Sequence, residues 1–167
     1  MIVLDWPKGG AVMKMREAVP EDAALIREIA LATTDADNAR ARVMERAYQL
    51  EEIVRAISSS EEAKEQLFIV GETDGDVIGF YHAIDRGDTW EVLRLYLHPA
   101  HHRQGLGAEL LTHLAGRKRQ PVELYVESSN EQALAFLNHQ SFVELNRIQE
   151  EVYDEPMELV HLRYDPR

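Results

Sequence analysis

Between Val92 and Leu97 the chain is almost continuously apolar, with Val92, Leu93, Leu95, Tyr96 and Leu97 interrupted only by Arg94. His98 to Gln104 is polar and contains Pro99, after which Leu106, Leu110, Leu111 and Leu114 recur at helical spacing. This pattern predicts a strand buried on both faces, a loop, and a helix that starts at Gly105. Upstream, Lys14 to Ala18 reads as a short strand. Pro20-Glu21-Asp22 opens a helix with Ala24, Leu25 and Ile29 as its inner face. The pattern breaks around Thr33 to Asn38, where Thr, Asp and Asn offer caps, and a second helix is expected over Ala39 to Ile57. Its stripe is Val43, Ala47, Leu50, Val54 and Ile57.

Leu67–Glu72 and Val77–Ile84 read as strands joined by an Asp74-Gly75 hairpin turn, and the turn at Asp85–Asp88 leads antiparallel into the Glu91 strand. Arg117-Lys118-Arg119-Gln120-Pro121 ends the glycine-led helix. Val122–Val126 must then lie parallel to the Glu91 strand, because a helical crossover separates the two. Ser128-Ser129-Asn130 caps a further helix with Ala133, Leu134 and Leu137 inside. Phe142–Ile148 and Leu159–Tyr164 form a closing hairpin around an acidic loop carrying Glu150, Glu151, Asp154, Glu155 and Glu158. The order is βααβββαβαββ. It is a mixed α/β (α+β) architecture, with a mostly antiparallel central sheet of about six to seven strands, about four helices and one parallel strand pair.

The expected organisation is an extension over residues 1–13, broken by Pro7, Gly9 and Gly10, followed by one domain over 14–167; Met13 or Met15 could equally be the natural start. A hydrophobic content of 45% with 29% charged residues is that of a globular protein, and no apolar run is long enough to span a membrane. Met1–Leu4 is apolar, but Asp5, Pro7 and Lys8 end the run too early for a signal peptide. The chain has no cysteine, which excludes disulfides, thiolate metal sites and a cysteine nucleophile. The cytoplasm is the expected compartment. A net charge of −12 argues against nucleic acid as a partner and would gather cations, amines included.

Gly105 and Gly107 are the first candidates for chemistry. A helix that begins at glycines presents free N–H groups and the positive end of its dipole, and without Cβ atoms a phosphate can approach the main chain. On the residues alone, phosphate binding and simple turn chemistry remain equal alternatives. A dinucleotide fingerprint fails because its third glycine is Leu110, and no G-x-x-x-x-G-K-S/T stretch occurs. His98, His101 and His102 share one loop without a carboxylate at ligand spacing, so no metal site is expected.

His102-Arg103-Gln104-Gly105-Leu106-Gly107-Ala108 resembles the Q/R-x-x-G-x-G/A motif of the GNAT N-acetyltransferase superfamily, with His102 where that family usually has Gln or Arg. Val77-Ile78-Gly79-Phe80 resembles its V-x-G motif, and Asn130-x-x-Ala133-x-x-Phe136 with Phe142 resembles its N-x-x-A-x-x-F-Y-x-x-x-G-F. Two positions depart from that last motif: Leu137 stands for the tyrosine that reprotonates the leaving thiolate, and Ser141 for the glycine.

The resemblance covers roughly Lys14 to Tyr164 and implies transfer of an acetyl group from acetyl-CoA to a primary amine. It implies that the parallel strand pair lies at the cofactor site, and that residues His102 to Ala108 hold the pyrophosphate through the main chain of Gln104 to Ala108. Leu95, Tyr96 and Leu97 would pair with pantetheine, and Asn130 would bind the pantetheine arm while also capping its helix. Glu91, fourteen residues before Gly105, matches the general base of histone-acetylating relatives. A protonated alkylamine, with a pKa of about 10.4, needs such a base. Arg117, Lys118 and Arg119 could meet the ribose phosphate or simply complement a helix C-terminus. The layout, including Arg94-Leu95-Tyr96, is similar to bacterial polyamine N-acetyltransferases, which implies a small cationic amine or polyamine acceptor. The alternatives are a protein N-terminal acetyltransferase and a non-catalytic acyl-CoA-binding sensor. A homodimer is the assembly expected.

Overall fold

A computed structural model describes residues 13–34 and 38–166. The strands are β1 Lys14–Glu17, β2 Gln66–Thr73, β3 Asp76–Asp85, β4 Trp90–Leu97, β5 Val122–Glu127, β6 Val143–Val152 and β7 Glu155–Tyr164. The helices are α1 Ala23–Ala32, α2 Ala39–Ala47, α3 Leu50–Glu62, α4 Leu106–Arg117 and α5 Glu131–His139, with single 3-10 turns at Pro20–Asp22 and Pro99–His101. One seven-stranded sheet runs β1-β2-β3-β4-β5-β7-β6. Its neighbours are antiparallel except β4 and β5, as the crossover through α4 requires. The expected extension lies outside the described residues apart from Met13, which is buried in the core.

Two apolar clusters lie on opposite faces of this sheet. Leu106, Leu110, Leu111 and Leu114 of α4 and Leu137 of α5 pack on one face against Tyr81, Val92, Val122 and Val160. On the other, Ile26, Ile29, Met44, Ile53 and Ile57 of α1–α3 pack against Phe68, Val70 and Phe80. This second layer covers only the β1–β4 half. The Asp74-Gly75 turn has φ of 53° and 85° at its two central residues, the left-handed pair a two-residue hairpin needs. Near the start of α1, Asp22 is buried between Arg16, whose Nη1 and Nη2 each donate at 2.8 Å, and the Val19 N–H at 2.8 Å. Burial alone would raise that carboxyl's pKa. The hydrogen bonds outweigh it and hold the value below the ordinary one.

Three expectations need correction. The single helix over Ala39–Ile57 is two helices, broken at Tyr48 and Gln49, which leaves the helical region at ψ 31° and 143°. No Gly or Pro causes this. Tyr48 is drawn into the core against the edges of Phe80 and Tyr96, and Arg27 Nη1 donates to the Tyr48 carbonyl at 2.7 Å. The stripe shifts accordingly to Met44, Tyr48, Ile53 and Ile57, with Leu50 exposed. The inner face of α1 is Ala23, Ile26, Ile29 and Ala30; Ala24 faces out and Leu25 is 43% exposed, because the first turn is 3-10 and rotates the stripe.

The closing hairpin, finally, has no acidic loop. Both strands run on to a two-residue tip, Tyr153-Asp154, at φ of 47° and 65°. Glu150, Glu151, Glu155 and Glu158 therefore stand in the ladder. Glu155 meets Arg42 Nε at 2.5 Å, and Glu158 meets Arg147 at 3.1 Å. Asp154 at the tip meets Arg46 at 3.6 Å.

Candidate active site

β4 has two neighbours and pairs with them unequally. Against β3 the register runs from Asp85↔Trp90 to Gly79↔Leu97, and His98 N–H continues it by donating to Ile78 O at 2.8 Å. Against β5 it runs only through Trp90↔Val122 and Glu91↔Glu123. Successive strand residues turn their main-chain groups to opposite neighbours. His98 and Tyr96 turn toward β3, so Leu95 and Leu97 turn toward β5, where no ladder receives them. A bulge lies in the same stretch: the register passes from His82↔Arg94 to Ala83↔Val92, leaving Leu93 outside it. β4 is therefore not buried on both faces, and Leu93 is 46% exposed.

α4 begins at the mouth of this opening. Gly105, at φ 75°, is its N-cap in the left-handed region, and Arg103 is also at positive φ, 65°. The first helical bond runs from Glu109 N–H to Gly105 O at 3.2 Å. The N–H groups of Leu106, Gly107 and Ala108 thus have no acceptor within the helix. Gly107 has a second reason to be glycine: a Cβ there would lie 3.2 Å from Phe136 Cζ of α5. Its lack of a side chain lets α4 and α5 approach.

His102 is committed elsewhere. Its Nε2 donates to Leu97 O at 2.8 Å and its Nδ1 accepts from Gln132 Nε2 at 2.9 Å. The ring clamps the loop to the end of β4 and to α5. Asn130 caps α5, its Oδ1 accepting from Ala133 N–H at 3.2 Å, which leaves its amide N–H groups as donors. Leu137 is only 3% exposed and packs in the core, so no proton donor stands there. Lys118 lies at the opposite end of α4, bonded to Asp85 at 3.2 Å, and with it the Arg117–Arg119 run is a helix length, about 18 Å, from Gly105. Among the described residues no group of His, Asp and Glu is placed to hold a metal ion.

Glu91 sits where β4 and β5 part. Its Oε2 accepts from Arg86 Nε at 2.7 Å. It lines an open groove of about 280 Å³ together with Arg86, Asp88, Glu123, Tyr125 and His161. The Tyr125 and His161 rings stack at 4.5 Å and 12°, and Glu123 Oε1 is 3.7 Å from His161 Nε2. Sequence reasoning missed His161, Glu123 and the Leu93 bulge. The alternation did hold a signal: Glu123, Tyr125, His161 and Arg163 fall on one face of β5 and β7, opposite buried Leu124, Val126, Val160 and Leu162. That polar face is the part of the sheet α1–α3 leave uncovered.

The profile of the Acetyltransferase (GNAT) family matches residues 25–142, which contain β4, the glycine loop, α4 and α5. The chain belongs to the GNAT acetyltransferase family. No protein of curated function matches the sequence. Among solved structures, this acetyltransferase is similar to the PaiA N-acetyltransferase of Thermoplasma acidophilum, in complex with coenzyme A, at 19% identity over 93% of this chain and 99% of that one, TM-score 0.71. It is similar to YncA, a putative acetyltransferase of Salmonella typhimurium with acetyl-CoA, at 21% identity over 93% and 94%, TM-score 0.69. It also resembles the spermidine N-acetyltransferase of Vibrio cholerae, in complex with CoA and spermine, at 14% identity over 91% and 94%, TM-score 0.67. At these identities the likeness is one of fold. Among the described residues no helix of the acetyltransferase is long and apolar enough to cross a membrane.

Proposed function

We propose that this acetyltransferase moves the acetyl group of acetyl-CoA to a primary amine in the opening between β4 and β5. The observation that carries the reading is the two-residue pairing of those strands beside a helix N-terminus at Gly105. An extended thioester with a pyrophosphate at one end needs anion donors, an unpaired strand edge and a polar anchor. The α4 N-terminus, the Leu95–Leu97 flank and Asn130 fit those needs. The main chain of Gln104 to Ala108 holds the pyrophosphate, with Arg103 and His102 shaping the loop. Leu95, Tyr96 and Leu97 form the edge along which pantetheine lies, and a main-chain N–H of that edge polarises the thioester carbonyl. Bound there, acetyl-CoA supplies an acetyl group activated as a thioester.

Glu91 takes the proton of the acceptor ammonium, directly or through a water, so that nitrogen's lone pair is free to attack. Its second oxygen has no protein partner among the described residues. No side chain at the Leu137 position donates to the departing sulfur, and a thiol with a pKa of about 8.5 leaves acceptably without one. Asp88, Glu91 and Glu123 of the groove, the last two also held by Arg86 and Arg163, favour an ammonium group on the acceptor, a requirement that a small cationic amine or polyamine meets without being the one acceptor that does. One catalytic domain over 14–167, a cytoplasmic location and a homodimer belong to the same proposal.

The test is steady-state thiol release from acetyl-CoA with polyamines, aminoglycosides, amino acids and peptide N-termini. Release that depends on an added amine is expected. Acetyl-CoA binding without release on any amine would favour the sensor.

A further inference from the structure

Arg94 is out of keeping with the arginines of the α1–α3 layer and of the β3–β4 turn. Arg27, Arg42, Arg46, Arg55 and Arg86 each hold a carboxylate. In a chain with 30 acidic and 18 basic residues, that is the expected fate of an arginine. Arg94 holds none. It directly follows the Leu93 bulge on β4, half-buried, with its guanidinium carbon 5.0 Å over the Tyr48 ring at the α2–α3 break. Its Nε is buried without a hydrogen-bond partner. Arg40, at the start of α2, donates to the Thr33 carbonyl at 3.0 Å. Both arginines act electrostatically on Tyr96, whose phenol burial pushes up and their charge pulls down. The guanidinium rests on the Tyr48 ring and interacts with its phenol, and with its Nε unsatisfied an anion at the remaining N–H groups would complete it.

We propose that Arg94 receives a carboxylate of the acceptor, so that the acceptor is a free amino acid rather than a purely cationic amine. The inference rests on the acetyltransferase reading above and adds the acceptor's second charge. Arg94 lies three residues along β4 from Glu91, about 10 Å between backbones. Their side chains can therefore address the two ends of one short zwitterion, ammonium toward Glu91 and Glu123, carboxylate toward the planar fork of Arg94. The fork makes Arg94 a specificity-determining residue. Polyamines would meet an uncompensated positive charge there.

The test compares α- and ω-amino acids, their amides and spermidine, with the full chain and acetyl-CoA. Thiol release gives kcat/KM, and calorimetric titration gives binding independently of turnover. The wild type should prefer an amino acid to its amide at least tenfold. Arg94→Gln should lower kcat/KM for the acid at least tenfold and leave the amide and acetyl-CoA affinity unchanged. Arg94→Lys, which keeps the charge but not the fork, should fall between. Thermal melting of both variants separates loss of recognition from loss of fold. Amides or spermidine used or bound as well as the acids, or a preference that survives Arg94→Gln, would overturn the assignment. Absence of thiol release with every amine would instead count against the acetyltransferase reading, and the titration would still decide the carboxylate preference.

Discussion

The two flanks of β4 are built from the same kind of strand and end differently. Toward β3 the main chain is hydrogen-bonded along its length and backed by Phe68, Phe80 and Tyr96 under α1–α3. Toward β5 pairing stops after Glu91, and Glu91, Tyr125 and His161 face an open groove. The closed flank stores stability. The open one keeps unpaired main-chain groups near a helix N-terminus, which on the proposed reading acetyl-CoA satisfies. A parallel pair suits such a gap. Its strands are joined through α4 rather than by a tight turn, so they can diverge without breaking a hairpin.

Perturbing the closed flank should unfold the protein, and perturbing the open flank should spare the fold. Phe80 is 0% exposed and touches the rings of Tyr48, Phe68 and Tyr96. Phe80→Ala should cost about 3–5 kcal/mol in denaturant unfolding. His82, also on the closed flank, stacks on Phe68 at 4.9 Å, and burial, helped by the charge of Arg94, lowers its pKa from 6.5 to about 4. The folded state thus refuses a proton that the unfolded chain binds below pH 6.5. Stability should be full above 6.5 and fall by about 3 kcal/mol as pH drops toward 4. His82→Leu should flatten that segment of the stability–pH curve.

On the open flank, Glu91→Gln should reduce kcat by about a hundredfold or more in thiol-release assays. Melting temperature and acetyl-CoA affinity should hardly move. Wild-type kcat would return the base to another group. The smallest effect is expected where the α5 turn ends. Ser141 sits at φ 70°, a conformation glycine adopts freely, and its N–H closes the turn onto Asn138 O at 3.0 Å. Ser141→Gly should stabilise by about 1 kcal/mol in thermal unfolding, with activity unchanged.

How much of this was legible in the sequence differs between the flanks too. The strand–loop–helix around Gly105, the Asp74-Gly75 hairpin, the parallel strand and the Asn130 cap all follow from local rules of spacing, turn chemistry and capping. The glycine loop was found that way, whereas Glu91 was singled out through the family resemblance, by its place fourteen residues before Gly105. The α2–α3 break was hidden because Tyr48 leaves the helix for a tertiary contact, with no breaker residue to mark it. The Tyr153-Asp154 tip lacks glycine, and the Glu-rich strands leading to it look like a loop when charge is read without pairing. The divergence of β4 from β5 is a property of two strands and appears in neither sequence. His102 was legible as part of the loop, but not its bonds to Leu97 and Gln132, whose partners lie 5 and 30 residues away.

Amide hydrogen exchange with and without acetyl-CoA tests the central claim most directly. In the free protein the amides of Leu95, Leu97 and Leu106 to Ala108 should exchange readily, while that of Tyr96, tied to β3, is slow. Saturating acetyl-CoA should slow exchange at Leu95, Leu97 and the three α4 amides, and leave Tyr96 as it was. Protection that skips these amides and appears instead in the groove between α3 and the β6–β7 tip, around Gln49, Glu52 and Tyr153, would contradict the account.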